Sequence, residues 1–590
     1  MFKNQGLFLI TSDIEKKWKF DRPVVFLGEW CKVYSKKELW LRTNSITAEP
    51  YKPDYNNIDT EIEQVDKYRN VILGELVQAL NRFHHTTHSV NYWNLVLGHW
   101  LYRFICVIYN RYYTLKQCFD LYKITGANFT FSNGFYLVPK DTFDFINSAS
   151  NDHEWNDILY TKIIQFWNIN NIEKFEYQAQ KVNFNDDKTT TFYIKLKRVF
   201  LDFIKKSLLP LFARESDAVI SSTYLPLSKE FALNFLFFQC PQFWVSPELK
   251  QREPDLHLRK KFYQNFKSHE YKGLDSFLRI CLAEMIPVCY LEGYTSLIDE
   301  VNKLNWPVKP KFIFTSNRFD FDEIFKVWSA NKIEKGFNYY VGQHGNNYGT
   351  LKGIQHTPEQ IDVTKFLTWG WTNGQQKIIP VYNFKLVGKK LRLKFNQKNI
   401  LIISAPPPLR LKIIDETFYY NASLKSQFEF YNILSNESKE DTIIRLHSLS
   451  RNSKCEEEKR WEYHFPEIKF DRSGKSIFNI IGHCKLVVHT YDSTGILETL
   501  ALNIPTICFW NGENNHLIPP AKIYYNLLID AGILYFSATD AANAINTLSK
   551  DLIAWWQSEK VQYARIKFCS NYSKINKAPL ITLKNILSES

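Results

Sequence analysis

Lys485-Leu486-Val487-Val488-His489-Thr490-Tyr491-Asp492-Ser493-Thr494-Gly495-Ile496-Leu497-Glu498-Thr499-Leu500-Ala501-Leu502-Asn503-Ile504-Pro505-Thr506-Ile507-Cys508-Phe509-Trp510 reads as strand, small-residue turn, helix and strand, the pattern of a parallel α/β unit. Leu486 to Val488 is a short apolar run rich in β-branched residues. Asp492, Ser493 and Thr494 are each good N-caps, and Gly495 lets a ligand approach the backbone. Asn503 closes the helix, Pro505 prevents its continuation, and Ile504 to Phe509 re-enters the sheet. A helix N-terminus just past a parallel strand presents unpaired N–H groups and a partial positive charge, a seat for phosphate. Ser493, Thr494 and the amides of Gly495 and Ile496 are the candidates to hold it. Glu498, one turn in, is placed to accept hydrogen bonds from ribose hydroxyls. The same spacing also fits an ordinary capped unit in which Glu498 is a surface acid favoured by the helix dipole.

A second stretch carries comparable information. Tyr339-Tyr340-Val341 is a strand, and Gly342-Gln343-His344-Gly345-Asn346-Asn347-Tyr348-Gly349 forms a glycine-rich loop at its end. The glycines bring the backbone close to something and present His344 without steric cover. A histidine near its ordinary pKa acts as a general base or, when charged, holds a carboxylate or phosphate. A tight surface turn is the plain alternative. Phe366-Leu367-Thr368-Trp369-Gly370-Trp371 adds a strand and an aromatic wall.

Further out, Gly6 to Ile10 and Pro23 to Leu27 are short apolar strands, and Gly28-Glu29-Trp30 closes the second. Strand ends line ligand crevices in α/β sheets, which makes Glu29 a weak candidate for acceptor contact. Ile58 to Asn81 has helical apolar spacing. His84 and His88 have the i,i+4 spacing of a metal pair but lack a third ligand, so no metal is expected; His88 is a weak candidate for acceptor contact instead. Tyr92 to Tyr109 is apolar and aromatic, yet Asn94, His99 and Arg103 favour a buried helix over a membrane span. Residues from about 120 to 215 are mixed and polar, with loops at Asn183 to Thr191 and a helical run through Phe200 and Leu208. They read as an insertion upon an α/β core. Asp320-Phe321-Asp322 matches the D-x-D pattern of metal–nucleotide sites, but it directly precedes a helix, where acids complement the dipole. Capping is the favoured reading. Lys385 to Lys398 is strongly basic and reads as a linker. Asn399 to Ser404 starts a new strand, and Ile443-Ile444-Arg445-Leu446-His447 is a strand placing Arg445 and His447 on one face, suited to phosphate or carboxylate. Asp540 to Ile586 is largely helical and could pack back across the other domain.

The chain of 590 residues is too long for one core. Its 45% hydrophobic and 16% aromatic content argues against disorder, and its net charge of +13 suits an anionic partner without choosing one. Ten cysteines without CxxC pairs fit reduced, cytoplasmic thiols. Leu7 to Ile10 is too short for a secretion segment. The expected organisation is two Rossmann-like α/β domains facing a cleft: 1–390 on the acceptor side, with a large helical insertion at about 55–285, and 391–590 binding the nucleotide sugar and ending in helices.

Phe26-Leu27-Gly28-Glu29-Trp30-Cys31, His88-Ser89 with Tyr92-Trp93, Gly342-Gln343-His344-Gly345 with Tyr348-Gly349, Thr368-Trp369-Gly370-Trp371, Thr494 to Pro505 and Trp555-Trp556 together resemble a family of transferases encoded in O-antigen and related surface-polysaccharide gene clusters, with a GT-B glycosyltransferase-like fold. Asn346 stands where a further glycine is expected. The resemblance implies transfer of a sugar from a nucleotide-activated donor to a growing surface polysaccharide such as O-antigen or capsule. A CMP-linked nonulosonic acid is one such donor; UDP- or GDP-linked neutral sugars stay open. For the transfer that this resemblance implies, His344, Arg445 and His447 are the catalytic candidates read from the residues, His344 as base or donor contact and the other two at the leaving phosphate, with Gln343, Gly345, Ser493, Thr494, Gly495 and Glu498 around the donor. Beyond the nucleotide sugar it implies a saccharide or lipid-linked saccharide acceptor, no separate cofactor, no nucleic acid, and a cytoplasmic protein for which +13 permits peripheral contact with the inner membrane. Two rivals remain. A non-catalytic binder of anionic polymer would show a continuous basic stripe, where only Lys389 to Lys394 is clustered. A GT-B-fold nucleotide-sugar epimerase would need no acceptor.

Overall fold

The computed structural model describes residues 5–51, 58–180, 209–266, 268–354, 357–389, 397–453, 455–548 and 551–589. The expected loop at 183–191 and helical run near 200–208 lie outside the described residues, as does the expected domain boundary at 390–391.

Three wholly parallel sheets organise the chain. The first has the order β3-β2-β1-β4-β5, with β1 Leu7–Ile10, β2 Val24–Phe26, β3 Ser45–Thr47, β4 Ile124–Phe131 and β5 Glu173–Gln178. The second runs β10-β9-β8-β7-β6, with β6 Val219–Ile220, β7 Ile313–Thr315, β8 Tyr339–Gly342, β9 Lys365–Thr368 and β10 Ile378–Pro380. The third runs β13-β12-β11-β14-β15-β16, with β11 Asn399–Ile403, β12 Thr442–Arg445, β13 Lys469–Phe470, β14 Cys484–His489, β15 Thr506–Phe509 and β16 Leu534–Tyr535. The parallel α/β class follows from the sequence, since strands buried on both faces read as continuous apolar runs.

The span at about 55–285 is helical over Ile58–His84 and Val90–Leu121, but it also supplies β4, β5 and β6. The 1–390 half therefore carries two sheets. Their strands are hard to read: β4 is interrupted by Gly126 and Asn128, and β5, Glu-Lys-Phe-Glu-Tyr-Gln, is a polar edge strand. Gly126 has a packing role, because a Cβ there would stand 2.9 Å from the Phe8 ring.

The helix Val90–Leu121 is the axis of the first half. Among the described residues no helix is long and apolar enough to cross a membrane; this one is buried in protein instead. Its polar residues make specific contacts. Asn94 pairs with Asp362, Asn110 donates to the Ile413 carbonyl at 3.2 Å, and Arg111 donates to the Arg410 carbonyl at 2.8 Å.

One continuous core runs through the first two sheets and takes in Ile496, Leu497 and Leu500 of the Thr494–Ala501 helix. The third sheet keeps separate cores on its two faces. The carboxyl-terminal helices return to the first half, as expected: Tyr340 donates to the Glu589 carbonyl at 3.1 Å and the Lys574 N–H donates to the Trp369 carbonyl at 2.9 Å.

Candidate active site

In the third sheet β11 lies between β12 and β14, so the direction of winding reverses between β11 and β14. Open α/β sheets bind ligands beyond the carboxyl ends of the strands at such a point. Thr490 follows β14 there, and its hydroxyl donates to the Ile403 carbonyl at 3.1 Å. The turn ends at Ser493, and the Thr494–Ala501 helix begins.

This helix start is built differently from a simple capped turn. The Ser493 hydroxyl does not cap; it lies 3.2 Å from His489 Nδ1, while His489 Nε2 lies 3.3 Å from Thr499 Oγ1. His489 is fully buried, which pushes its pKa down to about 3 and keeps it neutral. A Cβ on Gly495 would stand 2.6 Å from His489 Cε1. Gly495 thus makes room for the imidazole, where ligand access had been expected.

The loop after β8 faces this turn. The Asn346 N–H donates to Thr494 Oγ1 at 3.0 Å, and Gly345 lies against the same hydroxyl. Asn346 Nδ2 donates to Asp492 Oδ1 at 2.7 Å. Asp492 also accepts from Tyr525 at 3.0 Å and lies 3.2 Å from His516 Nε2. The asparagine standing for an expected glycine is therefore a clasp between the two sheets. Leu351 and Leu517 add an antiparallel bridge beside it.

Gln343, placed around the donor by its sequence context, is buried and engaged within the fold. Its Oε1 accepts from the Trp369 N–H and Trp371 Nε1, each at 2.9 Å, and its Nε2 donates to the Gly345 carbonyl at 2.8 Å. It fixes the loop to the tryptophan turn. Gly349 completes the fit, with φ of +72° and the Trp371 ring where a Cβ would go.

His344 sits half-buried among groups from four directions. Burial lowers its pKa; Asp320 and a hydrogen bond with the Ser316 main chain oppose the shift, while Arg103 and Lys385 add to it. The Tyr348 hydroxyl lies 3.4 Å from His344 Nδ1, but its proton is directed to Glu359 Oε1 at 2.7 Å. Burial thus favours the neutral form of His344, whose ring also bonds the Ser316 main chain. Behind it, Arg103 pairs with Asp320 at 2.6 Å, and His99 lies 3.8 Å from Glu359. Burial pushes His99 down to about 4. Burial also acts to raise Asp320, but Arg103 and His99 hold it below its ordinary value.

Of the two acids in the motif, Asp322 takes the capping role and Asp320 does not. Asp322 caps the Glu323–Ile333 helix, accepting from the Phe325 N–H at 2.9 Å, and is held by Arg318. Asp320 joins the His344 cluster. Sequence reasoning misses Arg103, His99, Asp320 and Glu359 as site residues; for His99 and Arg103 the signal is their i,i+4 spacing on the buried helix Val90–Leu121.

Other candidates stand apart from this cluster. Glu29 lies in a short 3-10 turn after β2 and pairs with Lys32 at 3.2 Å; its neighbour Trp30 stacks on Arg410 at 3.7 Å. His88 pairs with Glu334 at 2.7 Å and stacks on Tyr92. His84 bonds the Tyr290 carbonyl at 3.0 Å, so the two histidines serve different neighbours. The strand expected to run to His447 stops at Arg445, because His447 turns to accept the Leu449 N–H on Nδ1 at 3.3 Å. Arg445 pairs with Asp471 and donates to the Lys475 carbonyl at 3.0 Å. Burial lowers the pKa of His447. Both residues share the carboxyl edge of the third sheet with Thr494, but β11 intervenes. Glu498 is buried and paired with Lys385 of the opposite half.

A family model described as LIC12162 family transferase matches residues 7–587. No curated protein matches the sequence. Partial likenesses are found among solved structures. Anabaena Alr3699/HepE in complex with UDP and glucose is 11% identical with a TM-score of 0.32, covering 54% of this chain and 89% of its own. The UDP-GlcNAc 2-epimerase from Neisseria meningitidis bound to UDP-GlcNAc is 12% identical with a TM-score of 0.33, covering 62% and 89%. The wall teichoic acid polymerase TagF is 11% identical with a TM-score of 0.31, covering 67% and 96%.

Proposed function

The chain belongs to the LIC12162 family of transferases, and from that premise we propose that it moves a glycosyl group from a nucleotide-activated donor to a saccharide acceptor. The observation that carries this reading is the 3.0 Å contact between the Asn346 N–H and Thr494 Oγ1. It joins the loop that carries His344 to the first residue of the helix after β14. The helix start after β14 is the phosphate seat in this reading, with the Thr494 and Gly495 amides as its donors, since the Ile496 N–H already donates to the Ser493 carbonyl at 3.1 Å. His344 is the general base. It takes the proton of the acceptor hydroxyl while the acceptor oxygen bonds the anomeric carbon. The bond from that carbon to the donor phosphate breaks, and its electron pair leaves with the nucleotide. The partial positive charge of that helix start stabilises the departing phosphate.

The biological setting in this proposal is assembly of a surface polysaccharide such as O-antigen or capsule, at the cytoplasmic face of the inner membrane, with a CMP-linked sugar acid among the donors to be tested. A thermal-shift panel of CMP, UDP, GDP and TDP tests the donor, because a ligand bound to the native state raises the midpoint by mass action. One nucleotide is expected to raise it; no response to any of the four would overturn the reading. His344→Ala is expected to keep nucleotide binding and lose turnover by about 100-fold or more. Full turnover in that variant would remove the histidine from the chemistry.

A further inference from the structure

We propose that the helix Leu227–Leu236 and the turn after it form a docking surface for an anionic lipid bilayer. The proposal rests on the reading above only for its purpose, bringing a lipid-linked acceptor to His344, and its test involves no transfer.

The helix follows β6, the edge strand of the second sheet. Its inner face lies in the core, where Leu233 and, just past the helix end, Phe237 are buried. The opposite face is apolar too. Leu227, Phe231, Phe235 and Phe238 recur at i, i+4, i+8 and i+11, one line along a helix. Phe231 is half-buried against Phe243, but Leu227 is 54%, Phe235 63% and Phe238 81% exposed. A surface helix with apolar side chains on both faces leaves one of them for something outside the chain.

The helix closes in a Schellman motif. The Phe238 N–H donates to the Phe235 carbonyl at 3.0 Å, and the Gln239 N–H donates to the Asn234 carbonyl at 3.3 Å. Phe238 therefore holds the position that glycine usually takes, with φ of +58°. A bulky residue is strained in that conformation, and strain of this kind gathers at functional surfaces. The exposed ring gains no burial in return.

Charge selects the occupant. Arg214 Nη1 lies 3.5 Å from the Phe238 carbonyl oxygen, and Lys311 Nζ donates to the Phe237 carbonyl at 3.3 Å. The Lys309 N–H donates to the Glu215 carbonyl at 2.8 Å, next to Arg214, and Lys229 lies on the helix itself. Among the described residues Arg214 and Lys311 pair with no carboxylate. Of the acids here, Asp217 is buried and accepts from the Arg214 N–H at 3.0 Å, Glu230 accepts from Thr223 Oγ1 at 2.6 Å, and Glu215 is exposed. An excess of cations around exposed phenylalanine and leucine suits anionic headgroups above an acyl layer. A second copy of the same face would set these cations against their like. The line of apolar residues also starts three residues beyond Tyr224, whose ring centroid lies 5.9 Å from that of His344. A bilayer seated on it meets the chain beside the proposed base.

Co-sedimentation of the full-length protein with large unilamellar vesicles tests this. With a three-to-one mixture of phosphatidylethanolamine and phosphatidylglycerol the parent is expected to sediment, less so as NaCl rises from about 0.1 to about 0.5 M. With phosphatidylcholine alone it is expected to stay in solution. Phe235→Ser/Phe238→Gly is expected to lose vesicle affinity about tenfold or more. Because glycine suits the left-handed position, Phe238→Gly alone should bind vesicles more weakly yet unfold at or above the parent's midpoint. A lowered midpoint in that variant assigns the ring to the fold and overturns the proposal. Failure of the parent to sediment, equal binding by the double variant, or equal binding to phosphatidylcholine overturns it as well. So does a dimeric parent, measured by light scattering, that becomes monomeric in the double variant, since the face then belongs to a second copy. None of these outcomes touches the transfer reading, which falls instead if no nucleotide raises the midpoint while the vesicles still bind.

Discussion

Gly495 and His489 show how one residue's freedom decides another's place. A glycine in a first helical turn usually suggests access for a ligand, yet here the space over its Cα holds a buried imidazole. Gly495→Ala would gain up to about 1 kcal/mol in helix propensity. Against that stands a 2.6 Å approach to His489 Cε1, an overpacking that costs about 1–3 kcal/mol. Denaturant unfolding should therefore show net destabilisation, relieved when His489 is shortened to Ala in the same chain.

The same histidine gives stability a pH dependence. Its folded-state value is about 3 against an ordinary 6.5, so below 6.5 the unfolded chain binds a proton that the folded chain refuses. The contribution is complete above pH 6.5 and is lost as pH falls toward 3, at up to about 1.4 kcal/mol per unit. Unfolding measured between pH 6.5 and 5 should have a shallower slope in His489→Asn. At His344 burial also favours the neutral form. The acid limb of kcat/KM is expected below pH 6.5, and Asp320→Asn should move it lower still, because the carboxylate is what supports the imidazolium.

The loop after β8 and the tryptophan turn after β9 behave as one element. Gln343 ties them through two hydrogen bonds and braces its own loop at Gly345 with a third, and Asn346 ties the loop across to Asp492. Removing one partner leaves buried donors or acceptors unmatched, at about 1–3 kcal/mol each. Asn346→Ala should lower stability by that amount, and Asn346→Gly, the residue expected from the family pattern, should not restore it. Equal midpoints for parent and glycine variant in thermal melts would show that Asp492 needs no amide. The glycine-rich loop and the strand before it were legible from local sequence. The partners of the loop were not: Thr494 is 148 residues from Asn346, and nothing in either stretch encodes that distance. The strand carrying Arg445 shows the same limit at its end. Alternation predicts that it continues to His447, but a main-chain N–H at Leu449 draws the imidazole into a cap.

At the scale of the molecule the carboxyl-terminal helices join the two halves. Pro579–Ser588 buries Leu583 and Leu587, Tyr382 donates to the Pro579 carbonyl at 2.6 Å, and Lys365 pairs with Glu589 at 2.9 Å. Deleting residues 579–590 removes those two leucines and uncovers the surface they pack against, each burial being worth about 1.5–3 kcal/mol. The truncated chain should melt earlier, and the change should be felt in the second sheet as faster amide exchange at Tyr339 to Gly342.

The parallel α/β class, the strand and helix around Thr494, the His344 loop and the helical tail are legible from the amino-acid sequence alone. These depend on apolar period, capping residues and glycine, which act over a few residues. Long-range packing decided that the described residues build three sheets, since polar edge strands such as β5 are stabilised by their neighbours in the sheet and carry no apolar signature. It also decided which polar groups meet: Lys385 with Glu498 and Arg103 with Asp320 as ion pairs, and Asn346 with Asp492 as a hydrogen bond. Electrostatic and hydrogen-bond partners act through space, and their strength depends on a burial that only the complete packing sets.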